Sequence, residues 1–198
     1  GWMKNNFINL KIYFLILISY FYITCAISAK EIDFKAFEIK TLDNGNIVIG
    51  EKDAEAKIDN ELEIFADKVT YNKNNGLIIA EGNVIANDLI NKIQINSEKI
   101  NYIKDKNQII SENKTSFNID GKYKILSSNV HFYLNENIVF SDYSTNLEDN
   151  LKNFIKVSSF KYLINQEILN GIDIELVDSK KNKYFLNLGK LRLQDYAL

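Results

Sequence analysis

Few residues in this chain could do acid–base, nucleophilic or metal chemistry, and their spacing argues against all three. There is one histidine, His131, and one cysteine, Cys25. His131 stands where other copies of a repeating segment carry Thr70, Asn101 and Lys161. That is the polar side of a strand, so His131 reads as solvent-facing rather than as a proton shuttle. The carboxylates Glu81, Glu112 and Asp142 recur at steps of 31 and 30 residues and could line up across strands. Paired carboxylates can pass a proton or hold a divalent cation. Other residue types interrupt the column further along, so a solvated charged face is the plainer reading. No phosphate-binding glycine loop, nucleophile elbow or zinc motif accompanies it. The chain reads as non-enzymatic, with no cofactor and no metal.

What does recur is apolar. LEIFADKVTY ends at Tyr71, IQINSEKINY at Tyr102, YKILSSNVHF at Phe132 and FIKVSSFKY at Tyr162, at steps of 31, 30 and 30 residues. A weaker copy, NLGKLRL, ends at Leu193 after another 31. A period of this length marks a stack of supersecondary units, none of which can bury its apolar side alone. Within each copy apolar residues alternate with polar ones, as in a half-buried strand. Leu62, Ile64 and Ala66 hold one parity, and Val69 and Tyr71 the other. The same switch separates Ile93, Ile95 and Ser97 from Ile100 and Tyr102, and Tyr123, Ile125 and Ser127 from Val130 and Phe132. The fourth copy switches between Ile155, Val157 and Phe160, Tyr162. A parity change at one level moves the apolar face unless the strand bends there. The pattern therefore predicts a sheet creased at Asp67-Lys68 and Glu98-Lys99, with Ala66, Ser97 and Ser127 at the fold.

Polar turns rich in Asn, Asp and Gly follow the aromatics and suit tight hairpins. They lead into return strands over 77–86, 109–119, 138–147 and 168–177. Phe37, Ile39, Asn44-Gly45 and Ile47-Val48-Ile49 read as a degenerate leading copy. Glu51–Lys57 has helix-friendly composition but neither stripe nor cap, and reads as a loop or edge. The predicted fold class is all-β.

At 198 residues, 46% of them hydrophobic, the chain has enough for one core or one repeat array. Net charge is −2 and Arg192 is the only arginine, with lysines scattered, so no nucleic-acid partner is expected. Residues 3–29 form a separate object. A basic start at Lys4 and Lys11 precedes the apolar run Ile12–Ile23, then small residues through Ala29. This is the layout of a secretory signal peptide, with a mature chain beginning near Lys30. The rival is an uncleaved anchor, since Ile12–Ala29 approaches the length that spans a bilayer. Either places 30–198 outside the cytoplasm. Cys25 fits a lipobox poorly, and the rest of the chain has no thiol for a disulfide or zinc-thiolate site.

Ala66-Asp67-Lys68-Val69-Thr70-Tyr71, Ala80-Glu81-Gly82-Asn83-Val84 and Ser97-Glu98-Lys99-Ile100-Asn101-Tyr102, behind an export signal, resemble the OstA-like lipopolysaccharide transport family. The resemblance covers roughly Phe34 to Leu198. It implies a β-jellyroll folded like an open taco, whose interior holds the acyl chains of lipopolysaccharide. It also implies docking to other Lpt-type jellyroll proteins by β-strand addition, in the periplasm or at the outer membrane. Overall similarity, including Leu42-Asp43-Asn44-Gly45-Asn46, points to the N-terminal periplasmic domain of the outer-membrane assembly member, which would add an outer-membrane lipoprotein partner. The periplasmic bridge and the inner-membrane-anchored member stay open. The fifth copy reads as unfinished, whereas repeat arrays end in a capping unit, so a fragment incomplete at its C-terminus is expected.

On this reading the groove lining is Ile64, Val69, Tyr71, Ile95, Ile100, Tyr102, Ile125, Val130, Phe132, Phe160 and Tyr162. The partner edges are the first strand, with Phe34, Phe37 and Ile39, and the last, with Tyr184, Leu186, Leu188 and Leu191. Ordinary core packing would show the same alternation, and an edge shielded by loops would look the same as a docking edge. A structural β-solenoid or surface repeat without a lipid is the alternative function.

Overall fold

The structure, a computed structural model, describes residues 30–193. The leader read at 3–29 and the last residues, 194–198, lie outside them. Among the described residues the chain is all-β. The strands are β1 (Ile32–Lys35), β2 (Glu38–Leu42), β3 (Ile47–Ile58), β4 (Leu62–Asn72), β5 (Leu77–Asp88), β6 (Ile93–Ile103), β7 (Gln108–Ile119), β8 (Tyr123–Ser128), β9 (His131–Tyr133), β10 (Ile138–Ser141), β11 (Thr145–Asp149), β12 (Phe154–Val157), β13 (Ser159–Leu163), β14 (Ile168–Val177) and β15 (Lys183–Arg192). Three short 3-10 turns, at Asp43–Gly45, Lys104–Lys106 and Ile164–Gln166, are the only helical pieces among them. All pairings are antiparallel.

The sheet folds over itself along the predicted crease. Phe65 faces Ile85 but Lys68 faces Glu81, so β5 uses one residue more than β4 between those pairs. The extra residues fall on β3, β5 and β7, at register shifts between Glu51 and Ala54, Glu81 and Val84, and Ser97 and Lys99. Such bulges bend a strand and re-aim its side chains. They need left-handed backbone, which Lys52, Asp53, Gly82, Asn83 and Asn113 adopt. The two sequence motifs meet here. Asn83 Nδ2 donates to Asp67 Oδ2 at 2.9 Å, and a Cβ on Gly82 (φ 78°) would collide with the Asp67 carboxylate. Gly82→Ala is therefore expected to destabilise by at least the 1–2 kcal/mol, roughly, of a left-handed alanine. Urea unfolding measures this, and an unchanged midpoint would remove the bulge from the explanation of the crease.

Further along, bulges give way to breaks. The forward strands split into β8/β9 and β12/β13, and the return segment 138–147, expected as one strand, splits into β10 and β11. The corner is turned there by hydroxyls: Ser141 Oγ donates to the Ser128 carbonyl (2.7 Å) and accepts from the Tyr143 amide (3.1 Å). The result is two layers. The first holds β1, β8, β11, β12 and the adjoining halves of the long strands; the second holds β2, β9, β10, β13 and the other halves. Turns stack along the array through backbone bonds between repeats, for example Leu89 N–H to Glu61 O, Lys104 N–H to Gly76 O and Asp120 N–H to Lys92 O, at 2.8–3.0 Å.

Glu51–Lys57 corrects the sequence reading. It is neither loop nor edge but the middle of β3, paired to β4 on one side and to β1 and β2 on the other. Ala54 and Ala56 face the core, and tertiary pairing overrides the helix-friendly composition.

Candidate functional site

The inner faces of the two layers form one apolar core. Of the eleven residues read as groove lining, ten (Ile64, Val69, Ile95, Ile100, Tyr102, Ile125, Val130, Phe132, Phe160 and Tyr162) are at most 4% exposed. Tyr71 is half-buried and packs against them. Side chains with so little accessible surface leave no water-sized channel beside them. The trough is filled by the protein itself.

Polar groups inside it are satisfied. The Tyr102 hydroxyl donates to Asn107 Oδ1 (2.9 Å), and Asn107 Nδ2 donates to Asn135 Oδ1 (2.6 Å). Burial pushes the Tyr102 and Tyr162 phenols well above the ordinary tyrosine range, and pushes Tyr123 up to about 12 with the Glu167 carboxylate adding to the effect. Along the inside of the crease runs a row of small residues. It begins with Ala54 and Ala66 and continues as hydroxyls: Ser97 Oγ lies 3.3 Å from Thr115 Oγ1, Thr115 donates to Ser111 Oγ (2.7 Å), and Ser127 and Thr145 are 2.6 Å apart. Small side chains let the layers approach closely at the crease, and hydroxyls bond backbone groups that the broken strands leave free.

The outer faces differ. Where the strands leave the crease, Glu51, Lys68, Glu81, Lys99 and Glu112 stand side by side in alternating charge. Lys99 Nζ is 3.6 Å from Glu81 and 3.4 Å from Glu112. The carboxylate column is thus a lysine-neutralised ladder, and Asp142 sits apart in the bend between β10 and β11. Among the described residues no three His, Cys, Asp or Glu side chains gather as a metal site requires. His131 is on the outer side but half-buried, stacked on Phe140 at 4.8 Å with Nδ1 3.3 Å from Gln108 Nε2. Its neighbours in the same row, Ile110 and Phe140, are apolar and half-buried, a surface that strand parity alone did not foretell.

The edges are where apolar side chains meet solvent. Among the described residues β15 pairs only with β14, and it exposes Phe185 (70%) and Leu188 (77%), with Tyr184 and Leu186 also exposed. Tyr184 and Leu186 lie opposite the buried Leu176 and Ile174, so they continue the inner apolar face beyond the covered core. Leu191, read as an edge contact, turns into the core at 4% exposure. At the other end β1 and β2 both pair with β3. Phe37 (81%) and Ile39 (52%) are exposed, and Lys52 lies 5.7 Å over the Phe37 ring while pairing with Glu38. Phe34 instead lies against Gly50, at whose Cβ position its ring would be 2.7 Å away, and so closes that end of the core.

No known family profile matches the chain, and no curated relative does. Among solved structures, the chain is similar to LptH of Pseudomonas aeruginosa, the LptA-homologous periplasmic component of its lipopolysaccharide transport device. The identity is 11% and the TM-score 0.31, over 75% of this chain and 94% of that one.

Sequence reasoning placed Ser97 and Ser127 at the fold and quoted Gly82 within a motif, but it missed the part Gly82 plays in the bulge, the hydroxyls of Ser111, Ser141, Thr115 and Thr145, and the polar groups at the rim of the trough. Gly82 had a signal, as a glycine followed by asparagine in the middle of a return strand that otherwise alternates. The rim groups had none, because Lys122, Tyr123 and Glu167 lie in turns or at strand ends some forty residues apart.

Proposed function

We propose that this chain is a non-enzymatic domain of the OstA-like transport type, which shelters lipopolysaccharide acyl chains between its two layers. It joins neighbouring jellyroll subunits by strand addition at β15 and at the β1–β2 edge, in the periplasm or at the outer membrane. As part of an outer-membrane assembly protein it would also meet a lipoprotein partner. The observation that carries this reading is β15, an edge strand paired on one side only among the described residues, with exposed apolar side chains on both faces. Soluble sheets blunt their edges with charge or bulges because open strands template pairing with another chain. Beyond that edge the inner apolar face continues uncovered at Tyr184 and Leu186, where an acyl chain loses contact with water at about 0.8 kcal/mol per CH2. Since the interior is full, acyl chains must part the layers and replace side-chain contacts with lipid contacts.

The filled interior also favours a second reading, a structural repeat domain with no lipid. Photo-crosslinking in cells separates the two. A benzophenone residue at Leu188 is expected to capture a jellyroll partner, and one at Tyr102 to capture lipopolysaccharide. Partner adducts at Leu188 with none of lipid at Tyr102, in a folded chain, favour the structural reading. Adducts at neither position overturn the proposal.

A further inference from the structure

Opposite the crease lies the mouth of the trough, where turns of the first layer face turns of the second. Midway along it the two rims touch. The Tyr123 hydroxyl donates to Glu167 Oε2 (3.2 Å), and Lys122 Nζ lies 3.6 Å from Glu167 Oε1. Beneath them the rings of Tyr123 and Tyr162 meet edge to face, 6.4 Å between centroids. Lys122 also pairs with Asp120 (3.2 Å), which in turn pairs with Lys92 (3.6 Å). A cleft of about 240 Å³ opens at this point, walled by Ile90, Ile119, Tyr162 and Ile164 as well as by these charged groups.

The backbone fixes Glu167 for this contact. It is left-handed (φ 51°), its amide donates to Ile164 O (3.0 Å), and its carbonyl accepts from the Leu193 amide (2.9 Å). Nearer the N-terminal end of the mouth, Tyr102 turns its hydroxyl to Asn107 on its own rim instead of reaching across. At 122–123 and 167, then, a carboxylate on one layer is gripped by a phenol and an ammonium on the other, over a cleft whose floor is aromatic.

We propose that Lys122, Tyr123 and Glu167 form a clasp that holds the layers shut, and that a fatty acyl chain gains the interior here by displacing the Tyr123–Tyr162 contact. The ligand part rests on the lipid-sheltering function proposed above; the clasp itself stands on the geometry of the rims. Hydrogen bonds to a charged group are the strong ones, yet water can replace them once the rims part. That is what a reversible closure needs, and ligand can then shift the balance between closed and open forms.

The test uses the full chain with Cys25→Ser, which leaves no native thiol, and spin labels on Asn150→Cys and Gln166→Cys, one exposed position on each rim. Double electron–electron resonance is expected to give one short distance, and Glu167→Gln is expected to add a longer population. Cis-parinaric acid, a fluorescent fatty acid, is expected to bring the unsubstituted clasp to that longer distance. Its association with Glu167→Gln should be faster by on the order of ten-fold, the factor one charged hydrogen bond sets. Tyr123→Phe, which keeps the ring, should act in the same direction and serves if Glu167→Gln fails to fold. Distances unchanged in both variants overturn the clasp, whatever the lipid does. Widened distances with equal association rates overturn its gating role while leaving lipid binding intact. Widened distances with no probe bound by any chain overturn both.

Discussion

Replacing Phe132 with alanine is expected to lower the unfolding free energy by about 3–5 kcal/mol. Phe132 has no exposed surface and stands at the centre of the second layer, opposite Ile109 on one side and Val139 on the other, both buried. It belongs to β9, only three residues long, whose other two side chains point outward. Few backbone bonds hold that strand in place, so the phenyl ring anchors it, and losing the ring also loosens the pairing of β9 with β7 and with β10. Domains of this size have about 5–15 kcal/mol in total, so the variant should be close to unfolded at room temperature. Phe132→Leu should cost less, about 1–1.5 kcal/mol, since it keeps most of the volume. Urea titration followed by circular dichroism measures both. A loss under about 1 kcal/mol for the alanine variant would mean that Phe132 lines a wet groove and does not fill a core.

The second large effect is expected at alkaline pH. The phenols of Tyr102, Tyr123 and Tyr162 are all held above their ordinary value, chiefly by burial. A group whose folded-state pKa lies above its unfolded one gives stability that is complete below the unfolded value, about 10, and is lost as pH climbs toward the folded values. Through that window the unfolded chain sheds protons that the folded chain retains. Three tyrosines make stability fall by roughly 4 kcal/mol per pH unit once the unfolded phenols are ionised. The sheet should therefore melt cooperatively somewhere above about pH 11 at room temperature, and tyrosinate absorbance should rise in step with the loss of β signal. Tyr123→Phe should make the descent shallower by about a third. Full ionisation of all 11 tyrosines near pH 10, with the β signal intact, would contradict the buried state of these rings.

Much of this architecture could be read in the residues. The parity switch at Asp67-Lys68 and Glu98-Lys99 located the crease, because a strand cannot keep its apolar side inward on both sides of a corner without a change of register. The return strand 168–177 was placed with the bounds that β14 has. Glu51–Lys57 was misread because its inward positions are alanines, which carry little hydrophobic signal, and its charges sit at the bulge or on the outer face. The splitting of 138–147 was hidden for a related reason. Ser141 and Thr145 both face inward, and a buried hydroxyl at a corner looks in sequence like an ordinary polar position on a strand. The clasp had no local pattern at all, since Lys122 and Glu167 are brought together only when the layers close. Nor could alternation reveal whether the trough is full, because a side chain that packs on its own kind and one that packs on lipid obey the same parity.

The turn-to-turn bonding between successive repeats has a consequence for how such a protein can change in length. Every two-strand unit is joined to its neighbours by the same backbone ladder and the same stacked turns, and only β1, β2 and β15 are special to the ends. Neighbouring strands lie about 4.8 Å apart, so duplicating one unit in the middle would lengthen the array by roughly 10 Å while leaving β1, β2 and β15 as they are. Reach is thus set by copy number, in steps of one hairpin, and can be altered by gene duplication without redesign of any contact.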